Sequence, residues 1–267
     1  MINLIQTAER TNNSSHINNY IFQRHLFAYK SVPEKWLSGK DVLEIGCGTA
    51  YGASILAADA NVYVGLDKKV PVVEPAFKNT RFLKCTLPFL QEIPDGSFDT
   101  IVCFQVIEHI RQDALLLSEM KRVLKKDGVI LITTPNRLTT LVRNPFHVRE
   151  YTGEELGHLV HQYFDKFDIY GVFGNERVKE YYEVNKKAVA GILRIDRWGL
   201  IDKMPAALLK IPYSIMNNLN RLLLFLSAPP ETRMITDEDF SLLKVDDDCL
   251  DLFAVIHNSD QAEKLRD

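Results

Sequence analysis

Short apolar runs recur along this chain at intervals that leave room for a helix between them. Val42, Leu43 and Ile45 form a run of the kind buried on both faces in a parallel sheet. Further strands are expected at 62–67, 81–84, 100–104 and 129–133, then at 167–173, where apolar and polar positions alternate, and at 250–257. The intervening stretches carry helical signals. Residues 20–29 are aromatic and amphipathic, with His25 and Tyr29 read as packing onto the sheet. Residues 113–124 end in Lys121, Arg122, Lys125 and Lys126 with Gly128 as the stop, and Thr152 with Glu155 makes a capping box for a helix through Tyr163. The alternation of strands and helices predicts an α/β, doubly wound sheet.

Two regions fall outside that alternation. Residues 1–39 start polar, with 11–15 expected as a loop or cap, and read as an N-terminal helical cover. Residues 175–246 exceed ordinary loop length and are expected to be an inserted helical cap between the sixth and seventh strands, leaving 40–174 and 247–267 as the core. Ile215, Leu219, Leu222, Leu223 and Leu226 recur there at helical spacing as a core-facing stripe, and Pro205, Pro212, Pro229 and Pro230 punctuate it. Pro71 and Pro75 likewise interrupt the chain before the third strand.

The chemistry concentrates where the first strand ends. Gly46 and Gly48 let the backbone turn sharply and approach a ligand, and the N–H groups of the following helix are expected to face it. Asp67 closes the second strand about twenty residues on, the spacing from which a carboxylate accepts bonds from ribose hydroxyls. Glu44 stands inside the first strand, where an isolated charge is costly without a cation or donors. Together these residues predict a nucleoside cofactor.

Composition narrows the class. The chain has 267 residues, 46% of them hydrophobic, and a formal net charge of -3. That suffices for a sizeable core and lacks the basic footprint of a general DNA or RNA binder. Cys47, Cys85, Cys103 and Cys249 form no Cys-x-x-Cys pair, so a disulfide frame or zinc site is not expected and a reducing cytoplasm is. No apolar run approaches the ~20 residues of a membrane span. Residues 176–233 hold ten Lys/Arg against six Asp/Glu. That island is read as a solvated lid, or as a surface for an anionic or lipid-linked substrate at a membrane.

Glu44-Ile-Gly-Cys-Gly-Thr49 and Gly96-Ser-Phe-Asp99 before the fourth strand resemble the class I S-adenosylmethionine-dependent methyltransferases. Gln23 to Tyr29, Tyr51-Gly52 and Phe146 to Tyr151 are similar to the bacterial type 11/type 23 small-molecule group. The resemblance covers 20–175 and implies a Rossmann-like, seven-stranded, mostly parallel sheet whose antiparallel last strand lies between the fifth and sixth. It implies S-adenosylmethionine as cofactor. Glu44 would help hold the methionine end and Asp67 the ribose, with Gly46, Cys47, Gly48, Thr49, Tyr51, Lys68, Leu87 and Gln105 around them. An acid customary after the third strand is replaced by Cys85, so backbone or Thr86 would serve the adenine.

Gln105, Glu108 and His109 follow the fourth strand, where ligands of open α/β sheets bind. Methyl transfer to oxygen needs a base, and His109 and His147 are the candidates, with Glu108 orienting an imidazole or binding substrate. His147 can equally be a lid histidine. The same residues resemble the metal-holding group of Hen1-type RNA 2′-O-methyltransferases, but Gln105 stands where a carboxylate would be, so no metal is assigned. The expected function is methyl transfer to a small molecule or saccharide, at a hydroxyl. A metal-assisted RNA enzyme, a nicotinamide oxidoreductase and a cofactor-binding module without turnover remain as alternatives.

Overall fold

Strand β1 (Asp41–Ile45) emerges at the centre of one eight-stranded sheet because its side chains, Val42, Leu43, Glu44 and Ile45, are all buried. The computed structural model describes residues 18–73, 77–195, 204–227 and 234–258. Around β1 lie β2 (Val62–Asp67), β3 (Thr80–Lys84), β4 (Phe98–Phe104) and β5 (Leu124–Pro135), all parallel. β6 (Lys166–Gly174), β7 (Phe240–Lys244) and β8 (Asp251–His257) complete the order β3-β2-β1-β4-β5-β8-β6-β7. β8 runs antiparallel between β5 and β6, as expected.

Eight strands stand where seven were expected. The addition, β7, is a short edge strand antiparallel to β6, and it falls inside the stretch 175–246 assigned to the cap. Its pattern of one buried residue among exposed or half-buried ones is too brief to register as a period.

Helices α1 (Asn19–Lys30), α2 (Ala53–Leu56), α3 (Asp113–Val123) and α4 (Gly153–His161) cover the sheet. α4 starts on the reciprocal capping box of Thr152 and Glu155. α2, the helix expected after the glycine loop, is present as a single turn. One expectation fails here. α3 stops at Val123, because Leu124 pairs with Phe98; Lys125, Lys126 and Gly128 therefore belong to β5.

Between β6 and β7 run α5 (Glu176–Ile195) and α6 (Ala206–Ser227), tied to each other by Asn220 Nδ2 donating to Asn185 Oδ1 at 2.9 Å. α6 carries Pro212 inside it and is turned opposite to expectation. Ile215 and Leu219, assigned to a core-facing stripe, are exposed along with Leu208 and Ile211, while Leu209, Asn220 and Leu224 are buried. The side chains of Leu222, Leu223 and Leu226 lie outside the described residues, as do Pro75, Pro229, Pro230 and the expected loop at 11–15. Apolar periodicity located the helix but could not tell which face meets protein, because the inward face is largely polar.

α1 is locked to the sheet by a buried carboxylate. Glu44 accepts from the Tyr29 hydroxyl of α1 at 2.5 Å and from the Tyr63 hydroxyl of β2. Burial raises the Glu44 pKa, and those two donors act against the shift. The Tyr29 ring fills the space above Gly52 so closely that an added Cβ there would lie 2.2 Å from Tyr29 Cε1. Gly52→Ala is therefore expected to displace Tyr29 and lower stability by ~1–3 kcal/mol, read as a reduced urea midpoint.

Candidate active site

The loop after β1 is shaped by two left-handed glycines. Gly46 has φ +81° and Gly48 φ +58°, and a Cβ on Gly46 would stand 2.3 Å from Val106 Cγ2. Backbone bonds from Gly46 and Cys47 to the Leu66 carbonyl, at 2.7 and 2.9 Å, pin this loop to β2. At the end of β2, Asp67 accepts from Gly48 N at 3.1 Å and from Lys69 N at 2.9 Å. The acid is thus fixed beside the glycines, where its oxygens can accept further bonds.

These residues open onto a cavity of about 540 Å³, lined by Gly46, Gly48, Asp67, Lys68, Cys85, Thr86, Leu87, Gln105 and His109 among others. Its size falls within the range of small-ligand sites, ~300–1,000 Å³. Lys210 and Phe146 also line it, with the Lys210 ammonium 5.2 Å from the Phe146 ring centre. Lys210 carries no individual sequence signal for this place, because α6 brings it in over a long chain separation.

Four residues expected at the cofactor stand apart from the lining. Glu44 meets donors, as its burial requires, but they are the two tyrosines. Cys47 is buried behind Gly65. Thr49 is partly buried in the loop, and Tyr51 packs on Phe22 and Tyr29 with its hydroxyl 3.2 Å from His25 Nδ1.

A second cavity, of about 250 Å³, lies on the other side of the loop after β4. Gln105, Glu108, His109 and His147 form its floor, and α1, α5 and α6 contribute Arg24, His25, Tyr181, Tyr182, Tyr213, Asn217 and Arg221. Gln105 and His109 line both cavities. Gln105 sits at φ +55°, a strained value for a residue with a side chain, and its amide Nε2 lies 3.3 Å from Thr133 Oγ1.

The two histidines, with ring centres 4.8 Å apart, differ in how they are held. His109 Nδ1 is 3.0 Å from the Phe146 carbonyl, which can only accept, so Nδ1 carries the proton and Nε2 is the basic nitrogen. Nε2 lies 3.8 Å from Glu108 Oε1. For His147 the neighbouring amide settles the tautomer. Asn144 Oδ1 accepts from Phe146 N, so its Nδ2 donates to His147 Nε2 at 2.8 Å, and His147 Nδ1 donates to Glu150 at 2.5 Å. Both His147 nitrogens are thereby engaged.

Glu108 is buried, which raises its pKa, and it accepts from Thr134 Oγ1 at 3.1 Å. Ligand atoms of Glu108, His109 and His147 lie within 4.8 Å of one another. A cation on His147 Nε2 would have to displace the Asn144 amide, while the Nδ1 bond to Glu150 could remain.

The match to known proteins follows the same boundaries. The family model described as a methyltransferase domain matches residues 16–175. The chain belongs to this methyltransferase-domain family. It is 40% identical over 177 residues to a "Probable S-adenosylmethionine-dependent methyltransferase" of Mycolicibacterium smegmatis, covering 62% of this chain and 68% of that protein. A ubiquinone biosynthesis O-methyltransferase of Pasteurella multocida is 28% identical over 156 residues, covering 52% of this chain and 64% of its own length. A solved S-adenosylmethionine-dependent methyltransferase of Thermotoga maritima superposes with a TM-score of 0.56 at 16% identity, covering 91% of both chains. The chain is an S-adenosylmethionine-dependent methyltransferase with a Rossmann-like fold. No helix among the described residues is long and apolar enough to cross a membrane.

The glycine cradle, the fixed Asp67 and the 540 Å³ cavity suit S-adenosylmethionine. Asp67→Ala is expected to weaken S-adenosylhomocysteine binding by ~1.5–3 kcal/mol, the range for hydrogen bonds to a charged group, as read by calorimetry. His25 supplies a pH prediction. Burial, and after it the charges of Arg24 and Arg221, bring its pKa down from 6.5 to about 3. The unfolded chain therefore binds this proton first as pH falls, and the contribution to stability is lost between pH 6.5 and about 3. Its slope approaches ~1.4 kcal/mol per pH unit, and His25→Gln should flatten the urea midpoint against pH over that window.

Proposed function

We propose that this methyltransferase acts on a hydroxyl of a small, polyhydroxylated acceptor of saccharide type, with His109 taking the hydroxyl proton. The observation that carries this reading is the position of His109 in the wall shared by the two cavities. A base there reaches an acceptor atom and faces the donor side at once. In this reading α5 and α6 form the acceptor-side cover, and their inward amides, phenols and guanidinium suit a ligand rich in hydroxyls. The oxygen acceptor in the name of the Pasteurella multocida relative supports the choice of atom.

S-adenosylmethionine supplies a methyl group already activated as a sulfonium, so the protein's task is alignment and exclusion of water. Gln105, held at the end of β4 by its backbone N–H on the Thr133 carbonyl at 2.9 Å, fixes the wall between donor and acceptor. His109, oriented through Nδ1 by the Phe146 carbonyl, would present Nε2 to take the proton of an acceptor hydroxyl, and the cofactor, when bound, would supply the methyl group to that oxygen. Burial raises the Glu108 pKa, and His109 and His147 act against that shift. His147 in this scheme is a positioning residue: its bonds to Asn144 and Glu150 set the loop that carries Phe146.

The cluster of Glu108, His109 and His147 also favours a metal-assisted reading, in which RNA ends are the substrate. The two separate on one experiment. His109→Ala should lower kcat on a saccharide acceptor by roughly 10²–10⁴-fold while leaving S-adenosylhomocysteine affinity in place. Wild-type turnover should be indifferent to chelator. Full activity of the variant would remove His109 as base, and loss of activity on chelation would bring the metal reading forward.

A further inference from the structure

The inward face of α6 carries a guanidinium with no opposing carboxylate among the described residues. Arg221 lines the acceptor cavity, partly buried, one turn from the buried Leu224 and next to Asn220. Its hydrogen bond is to a neutral group, Nη1 donating to Asn18 Oδ1 at 2.8 Å. The groups that act on its charge are Tyr213, Tyr181 and Arg24, none of them a carboxylate, and burial lowers its pKa.

The other charges around this cavity are accounted for. Arg24 Nε lies 3.0 Å from Asp251 Oδ2, Glu150 holds His147, and Glu108 faces the two histidines. A bond to Asn18 uses one of the several donors of a guanidinium and brings no negative charge. Holding a desolvated cation beside a second arginine is unfavourable unless a ligand brings the missing anion.

We propose that Arg221 is an anion-binding residue of the acceptor site, so that the acceptor carries a carboxylate or a phosphate monoester at a point remote from the hydroxyl that is methylated. This inference rests on the reading of the second cavity as the acceptor site. A guanidinium suits either anion, because its planar pair of N–H donors matches two oxygens of each. The anion would anchor one end of the acceptor under α6 and direct a hydroxyl at the other end toward the floor formed by Gln105 and His109. Selection against neutral analogues then comes from the buried cation they would leave without a partner.

The test uses the full chain with S-adenosylhomocysteine bound, titrated by calorimetry with glucose, glucuronate and glucose 6-phosphate. At least one charged sugar should bind about tenfold or more tightly than glucose, as hydrogen bonds to a charged group allow. The stronger of the two identifies carboxylate or phosphate. Arg221→Gln should remove the difference and Arg221→Lys should keep part of it, with S-adenosylhomocysteine affinity as the check that each variant is folded. Equal binding of all three sugars, no binding of any, or a charge preference that survives in Arg221→Gln would overturn the proposal. Methyl transfer is measured in parallel with labelled cofactor. Arg221-dependent binding without methylation of any hydroxyl would sink the saccharide-hydroxyl reading and leave the anion site standing.

Discussion

A carboxylate buried in the central strand organises much of this molecule. Glu44 cannot be hydrated where it lies, so two hydroxyls are brought to it from different elements, Tyr29 from α1 and Tyr63 from β2. That requirement fixes the N-terminal helix against the sheet, keeps Gly52 free of a side chain, and holds the start of the loop in which Gly46 and Gly48 turn. It also places α1 so that Arg24 and His25 reach the second cavity. One internal ionisable group thus links the glycine loop to a wall of the second cavity.

Between the two chambers stands a partition of very few residues. Gln105 is held in a strained backbone conformation at the end of β4, and the short 3-10 turn Ile107–His109 follows at once. Such strain is sustained because the Thr133 carbonyl accepts from Gln105 N and the Val148 and Arg149 amides bond to the Glu108 carbonyl, at 2.9, 2.7 and 3.2 Å. The loop that carries Phe146 and His147 is therefore stitched to the partition through the main chain, and side-chain substitutions at His109 leave that stitching in place.

Much of this was legible in the sequence, for identifiable reasons. Central strands such as β1 and β4 are buried on both faces and read as continuous apolar runs, and the left-handed turn after β1 announces itself in glycines. The capping box of α4 is a local pattern, so it was visible too. The role of Glu44 was half legible: the need for donors followed from burial, but their identity depended on pairing Asp41 with Val62 and on where α1 docks. Lys210 and Arg221 were legible only as members of a basic island, and Asn185 and Asn217 gave no local signal, because all four reach their cavities from α5 and α6, whose placement depends on tertiary contact. β7 escaped because only one of its five residues is buried.

The inverted polarity of α6 has an evolutionary side. In the proposed reading, specificity is carried by a helix whose cavity-facing residues are amides, a phenol and a cation, with little share in the apolar core of the sheet. On that reading, exchanging Asn217 or Tyr213 alters what the second cavity holds without opening a void among Leu43, Ile101 and Ile130, so the preference can change while the sheet stays folded. The scaffold is, in that sense, modular by polarity: the half that must be dry is kept apart from the half that is free to vary.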